Sequence, residues 1–534
     1  MFSKLRGAAI AAALCCTMPA TAQVDSESMD DITAWGARYE SGQEVDFPSS
    51  LWRHSDNQIL LGLMQSQSTD RLTGAERTLL RRLVLSPARK PSGEQAEALL
   101  SERVRLMLEL GEADAAAQLA PRLQQTPEGL NAETFAIDLE LARGEEDAAC
   151  RHLEDNPPDG LYGLKLRAVC AVLAGNISGA EIAVEVASVQ GLDDPWFVSA
   201  IFAAAGDSPN PPEARFDNGM NIALSLKAGL DTSALDPLAS RADLAAALAL
   251  REGVPGDLRV AFAEMARRAD LLPTKAHRAI VMNKLAENAA VASSAIEETL
   301  FVFEDPLTFD SQRAEALDHV FQSAASGSLN EFAMIASLFL PELKRLPQSP
   351  DTAPYSLDFA RAALAAGDNN LADTWLKNAL DAPDFEIAYL QALLLIAGGD
   401  ASISQQNEIQ ESLLESSDNE ARLARATDLL ATWTGFEFVL SAPARAGLLL
   451  ADRDNAALPP NERLAIQSAI RDGAIGEAAL MILAQTQGEP QTLASADLAE
   501  LLRMLREIEA GDIAVSLALE ASEFWKREDS ETAG

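Results

Sequence analysis

The stretch that decides the fold is FARAALAAGDNNLADTWLKNAL, Phe359 to Leu380. Apolar and small residues recur at helical spacing, Gly367 interrupts them, and the pattern resumes at Ala372. Phe359 and Ala363 fall on one face of a first helix, and Ala372, Leu376 and Ala379 on one face of a second. A small residue at the closest crossing lets two helices approach, while larger neighbours fill the space beside it. The same layout, a helix ending in glycine and a small residue five positions later, occurs at Gly111/Ala116, Gly144/Ala149, Gly175/Ala180 and Gly473/Ala478. The first three glycines are spaced by 33 and 31 residues, which makes the pattern a repeat rather than a coincidence of an alanine-rich chain.

This unit resembles the tetratricopeptide repeat, a helix–turn–helix of about 34 residues. On that resemblance Gly367 takes the turn glycine, Ala372 the first small position, Leu376 the bulky one and Ala379 the second small one. Pro383 stands one residue before the family's proline, and the first-helix Trp and Tyr of good repeats are missing throughout. Five units are recognisable, covering about a third of the chain. The resemblance implies a tetratricopeptide-like α-solenoid with degenerate repeats, whose curvature offers a concave surface to a peptide or another protein.

Composition agrees with an all-α fold. Of 534 residues, 48% are hydrophobic but only 5% aromatic, and the apolar share is carried by Ala and Leu, which favour helices over sheets. Helical segments of 10–18 residues follow one another from Leu51, each closed by Gly, Pro or Asp/Asn. No stretch alternates with period two. Proline clusters at 208–213 (SPNPPE) and 346–355 (LPQSPDTAPY) interrupt the helices. The second divides an N-terminal helical solenoid, 51–345, from a C-terminal tetratricopeptide-like one, 356–528. Residues 23–50 are acidic and short of periodic apolar positions, apart from a turn around Trp35, and read as a mobile arm.

The N-terminus reads as a secretory signal, residues 1–22. Lys4 and Arg6 precede a short apolar run, and small residues Ala20 and Ala22 place cleavage before Gln23. Leu14 before Cys15 argues against lipidation. No other segment supplies about 18 uninterrupted apolar residues, so the mature protein is expected to be soluble in the periplasm without an integral membrane segment. Only Cys150 and Cys170 remain after cleavage. In an oxidising compartment they are a disulfide candidate, with two buried thiols as the alternative.

The formal charge is −39, from 81 acidic and 42 basic residues, and such a field repels nucleic acid. Four histidines, His54, His152, His277 and His319, are scattered outside any metal-binding spacing, and no nucleophile elbow, phosphate loop or dinucleotide fingerprint is present. The expectation is therefore a non-enzymatic scaffold in cell-envelope assembly that binds a protein or peptide partner and uses no cofactor. The alternative is a superhelical relative or accessory of a lytic transglycosylase that cleaves peptidoglycan. The chain lacks that family's recognisable Glu-Ser catalytic segment.

Overall fold

The computed structural model describes residues 34–37, 46–123, 132–155, 157–206, 208–237, 242–287, 294–399, 401–450 and 457–527. The signal segment 1–22 lies outside them, as do 23–33 and 38–45 of the acidic stretch. Among the described residues there are 26 α-helices and no strand. The first group is α1 (Asn57–Ser66), α2 (Gly74–Leu85), α3 (Ala96–Leu110) and α4 (Ala113–Leu119). It is followed by α5 (Ala132–Arg143), α6 (Glu146–Asp155), α7 (Gly160–Leu173), α8 (Ile177–Val189), α9 (Pro195–Ala204), α10 (Gly219–Ala228), α11 (Ala242–Leu250), α12 (Gly256–Arg268) and α13 (Thr274–Glu287). The chain continues through α14 (Ala295–Glu304), α15 (Asp310–Ala325), α16 (Leu329–Arg345), α17 (Ser356–Ala365), α18 (Asn369–Asn378), α19 (Asp384–Ile396) and α20 (Ile403–Glu415). It ends with α21 (Glu420–Gly435), α22 (Ala442–Leu450), α23 (Pro460–Asp472), α24 (Ile475–Thr486), α25 (Ser495–Glu507) and α26 (Gly511–Ser522). Neighbours in sequence pack in pairs, as in α7 with α8, α11 with α12 and α17 with α18. This is an all-α helical superhelix, and none of its helices among the described residues is long and apolar enough to cross a membrane.

The five glycine–alanine units are helical hairpins: α3/α4, α5/α6, α7/α8, α17/α18 and α23/α24. Every one of the five glycines has a φ between 75° and 85°, the left-handed region that a residue with a Cβ enters at a cost. The next amide then bonds the carbonyl five residues back, as Glu112 does to Met107 at 2.8 Å and Asp368 to Ala363 at 2.9 Å. That bond ends the helix and turns the chain tightly enough for its successor to fold back. Each matching alanine, Ala116, Ala149, Ala180, Ala372 and Ala478, is no more than 1% exposed, as the crossing position requires. In the best unit Trp375 meets Phe359 edge to face, with ring centres 5.0 Å apart. Helix α18 stops at Asn378, so Ala379 is its C-cap, though still buried. A sixth turn of the same design lies at Glu509, whose φ is 64°, with Ala514 buried five residues on and the Ala510 amide bonded to Leu505 at 2.9 Å.

In the hairpin of α6 and α7, Cys150 and Cys170 are joined by a disulfide, with Cα atoms 5.7 Å apart. The hydrophobic core falls into two clusters. One is built mainly from α5 to α13; the other joins α1–α4 to α14–α26. The second cluster exists because the chain closes on itself. Helix α1 packs on α24, and α2 on both α24 and α26. The Gly476 amide donates to the Leu51 carbonyl at 3.0 Å, and a Cβ at Gly476 would sit 2.4 Å from the Trp52 ring, so only glycine admits the buried indole. Residues 23–50 are not a free arm throughout. Trp35 and Phe47 are buried, Trp35 against the guanidinium of Arg103 and Phe47 against that of Arg82. Isolated aromatics without periodicity carry no helix signal, so their docking sites, set by distant arginines, are invisible in local sequence.

The register of the best unit is testable. Ala372→Leu adds three carbons to a packed crossing and should cost about 1–3 kcal/mol in denaturant melts. Asp373→Leu should change stability by no more than about 0.5 kcal/mol, because Asp373 is half-exposed and its ion pair with Lys377 lies open to solvent. Equal effects would remove Ala372 from the crossing.

Candidate functional site

The seam where the chain closes carries a groove. It is assembled around two helix starts. Thr73 caps α2: its hydroxyl accepts from the Glu76 amide, and the Glu76 carboxylate accepts from the Thr73 amide at 2.8 Å. The other Glu76 oxygen accepts from the amide of Gly488 at 3.0 Å, which ties the turn after α24 to this cap. Glu520, from α26, accepts from the Ala75 amide at 2.8 Å. The start of α16 is capped in the same way by Ser328 and Glu331. It is held in place by Trp525, whose indole donates to the Gly327 carbonyl at 3.0 Å, and by Asn330, which donates to the Arg268 carbonyl.

Between these two starts lies a cavity of about 520 Å³, lined by four cations, Arg71, Arg77, Arg268 and Lys526, and two carboxylates, Glu520 and Glu523. It runs into a second cavity of about 410 Å³, with which it shares Pro490, Gln491, Glu523 and Lys526. On its other side it shares Arg77, Arg268, Asn330 and Glu520 with a smaller hollow of about 210 Å³. The three form one groove along the seam. Both helix starts bring the positive ends of their dipoles to it.

The groove's two main chambers differ in how their cations are engaged. In the 410 Å³ chamber, Arg425 pairs with Glu386 at 3.0 Å and lies 4.4 Å over the Tyr389 ring. Glu386 also holds Arg361, which pairs in turn with Asp358, and Asp358 and Asp318 hold Arg527. Burial and then the Asp358 charge lift the Asp318 carboxyl to about 6, against the pull of Arg527. These charges neutralise one another. In the 520 Å³ chamber, Arg77 donates to the Thr69 carbonyl at 3.0 Å and has no ion pair among the described residues. Burial, followed by the neighbouring Arg81 charge, draws its pKa below the usual value. Arg71 is exposed, while Arg268 and Lys526 make pairs with Glu331 and Glu523 that are open to solvent and therefore weak.

Glu520 is the buried counterpart. Its Oε2 is shut off from solvent and has no hydrogen-bond partner among the described residues. Burial raises the carboxyl to about 7; hydrogen bonds from Thr73 and from the Ala75 and Gly74 amides oppose the rise, and the Glu76 charge adds to it.

The residues singled out in the sequence sit elsewhere. Gly367, Ala372, Leu376 and Ala379 pack a hairpin and do not line the main chamber, and the Cys150–Cys170 bond belongs to the other core cluster. The histidines are not brought together. His54 and His319 are exposed, and His152 lies 3.2 Å from Glu140. His277 is fully buried without a hydrogen-bond partner, and burial, with Arg267 nearby, holds its pKa at about 4. Trp196, Trp375, Trp433 and Trp525 are all core residues, although Trp525 also borders the main chamber. Sequence reasoning missed Arg77 and Glu520. Each lies on an ordinary-looking polar position of its helix, and 443 residues of chain separate them.

A pH effect follows from Glu520. The folded chain keeps this proton up to about pH 7, whereas an unfolded chain releases it near the ordinary value of 4.5. The folded state thus binds more protons across that interval, and stability falls as pH rises through it. Glu520→Gln should therefore raise the melting temperature more at pH 8 than at pH 5. An equal shift at both values would contradict the assignment.

No family model, no curated protein and no solved structure matches this chain.

Proposed function

We propose that this chain is a non-enzymatic periplasmic scaffold, built on tetratricopeptide-like units, that holds a protein partner during cell-envelope assembly. The observation that carries the reading is the groove along the closing seam: a concave, cation-lined channel in a chain of formal charge −39. Both signs of charge line it, so it offers a partner polar groups of either kind inside a molecule that is acidic overall. The Cys150–Cys170 bond supports an oxidising compartment, where such a link persists. The envelope context rests on the export signal read at residues 1–22 together with that bond.

Proximity labelling from the full-length chain in its native cell tests the proposal. The expected result is a recurrent envelope protein among the labelled neighbours, with mass spectrometry placing the mature N-terminus at Gln23. An intact Met1 in the cytoplasm would contradict the compartment. Release of soluble fragments from purified peptidoglycan would contradict the scaffold role in favour of an enzyme.

A further inference from the structure

Helix α13 belongs to both core clusters. Ile280 packs with the cluster built from α5 to α13, and Val281 with the one that closes the ring. One turn earlier, His277 is fully buried, and neither ring nitrogen has a hydrogen-bond partner among the described residues. A neutral imidazole carries one N–H and one acceptor nitrogen, and leaving both unmet costs stability that an apolar ring of the same shape would keep. A proton makes the position worse, because both nitrogens become donors on a buried cation. The charges around α13 give that cation no relief. Arg267 of α12 is close enough to repel it. Asp257 of α12 and Glu297 of α14 are engaged by Lys284, and Glu342 of α16 by Arg278 at 2.9 Å. Glu264 of α12 faces Arg268, Glu297 and Lys284. Arg267 is itself fixed to the turn that follows α12. It donates to the Leu272 carbonyl at 2.9 Å and pairs with Asp270 at 3.0 Å. The other Asp270 oxygen pairs with Arg81 of α2 at 3.1 Å, and Arg81 also donates to the Ala269 carbonyl at 2.6 Å. His277, Arg267, Asp270 and Arg81 thus stand in one line from the junction of the two clusters to α2.

We propose that His277 is an acid-sensitive catch: on taking up a proton it repels Arg267, displaces the turn between α12 and α13, and loosens the anchorage of α2 through Arg81. Packing in the folded chain accepts only the neutral ring. Burial, followed by the Arg267 charge, draws the pKa from the ordinary 6.5 down to about 4. Across that interval an opened chain binds more protons than the closed one, so the closed form loses ground as pH falls. Glu520 acts in the opposite direction, because its proton favours the closed seam as pH falls. The two effects offset each other in the stability of the whole chain, and the catch shows only in a local measurement. It acts whatever the groove binds.

The test is amide hydrogen exchange read by mass spectrometry, corrected for the intrinsic effect of pH, on the full chain and its His277→Phe variant at pH 7.5 and pH 4.5. Phenylalanine keeps a flat buried ring and cannot titrate. At pH 7.5 the two chains should exchange alike, within about threefold in every helix. At pH 4.5 the unaltered chain should exchange about tenfold faster or more in α13, in the turn before it and in α2, as the lowered pKa of His277 allows. Helices α7 and α17, one from each cluster, should differ little between the chains. Equal exchange of the two chains at pH 4.5 would overturn the proposal, as would a response of α13 that leaves α2 unchanged. Should the variant fail to fold, two readings on the unaltered chain decide. Exchange of the His277 C2 hydrogen should have its midpoint below about pH 5, and acid should speed α13 and α2 more than α7. A midpoint at the ordinary value, or an equal rise in all three helices, would overturn the catch.

Discussion

The architecture depends on how helix α2 is held. Two consecutive arginines, Arg81 and Arg82, have side chains only 3% and 4% exposed, and each reaches a different distant turn. Arg81 donates to the Ala269 carbonyl at 2.6 Å and pairs with Asp270 and Glu112, closing the turn between α12 and α13. Arg82 donates to the Glu509 carbonyl at 3.0 Å and pairs with Asp512, closing the turn between α25 and α26. Asp270 and Glu509 both adopt the left-handed backbone conformation, with φ of 55° and 64°, so each arginine satisfies the carbonyls of a helix end that has no glycine. Asp270 and Asp512 are themselves more than half exposed, so much of the hold lies in the bonds from the buried guanidiniums to the two carbonyls, each charge-assisted bond worth about 1.5–3 kcal/mol. The two arginines thereby fix α2 between the middle of the chain and its far end.

The groove is a consequence of that placement. Once α2 sits against α24 and α26, its capped start faces the start of α16 across the seam, and Arg71 and Arg77 beside that start line the space between together with Arg268 and Lys526. In an open stack the same residues would be scattered over solvent-exposed turns. The closing contact thus creates the surface as well as the fold.

The repeats were legible in the sequence because their determinants are local. A glycine that must adopt positive φ and an alanine that must vanish at a crossing lie five residues apart, and the pair survives even in a degenerate unit such as Gly175/Ala180. The hairpin at Glu509 escaped notice because its turn residue is not glycine; the distant Arg82 supplies the compensation. Closure was illegible for the same reason. Glu76, Arg81 and Arg82 look like the polar face of a surface helix, and nothing local distinguishes a charge facing water from one facing a partner more than 400 residues away. Trp35 and Phe47 dock on Arg103 and Arg82, contacts within the N-terminal part of the chain that are still too far apart for a local pattern to show. The candidate site, made of residues from five separated segments, inherits that illegibility.

Ring closure is the central claim, and a distance between its two sides tests it most directly. Ser66→Cys at the end of α1 and Gln487→Cys at the end of α24 place spin labels on exposed positions of packed helices, while Cys150 and Cys170 are occupied by their mutual bond. Pulsed dipolar spectroscopy should then find a single short separation, about 20 Å, or two helix diameters. An open solenoid of the same helices, stepping about 9 Å from one to the next, would hold these positions on the order of 100 Å apart and show no resolvable coupling, which would contradict the account.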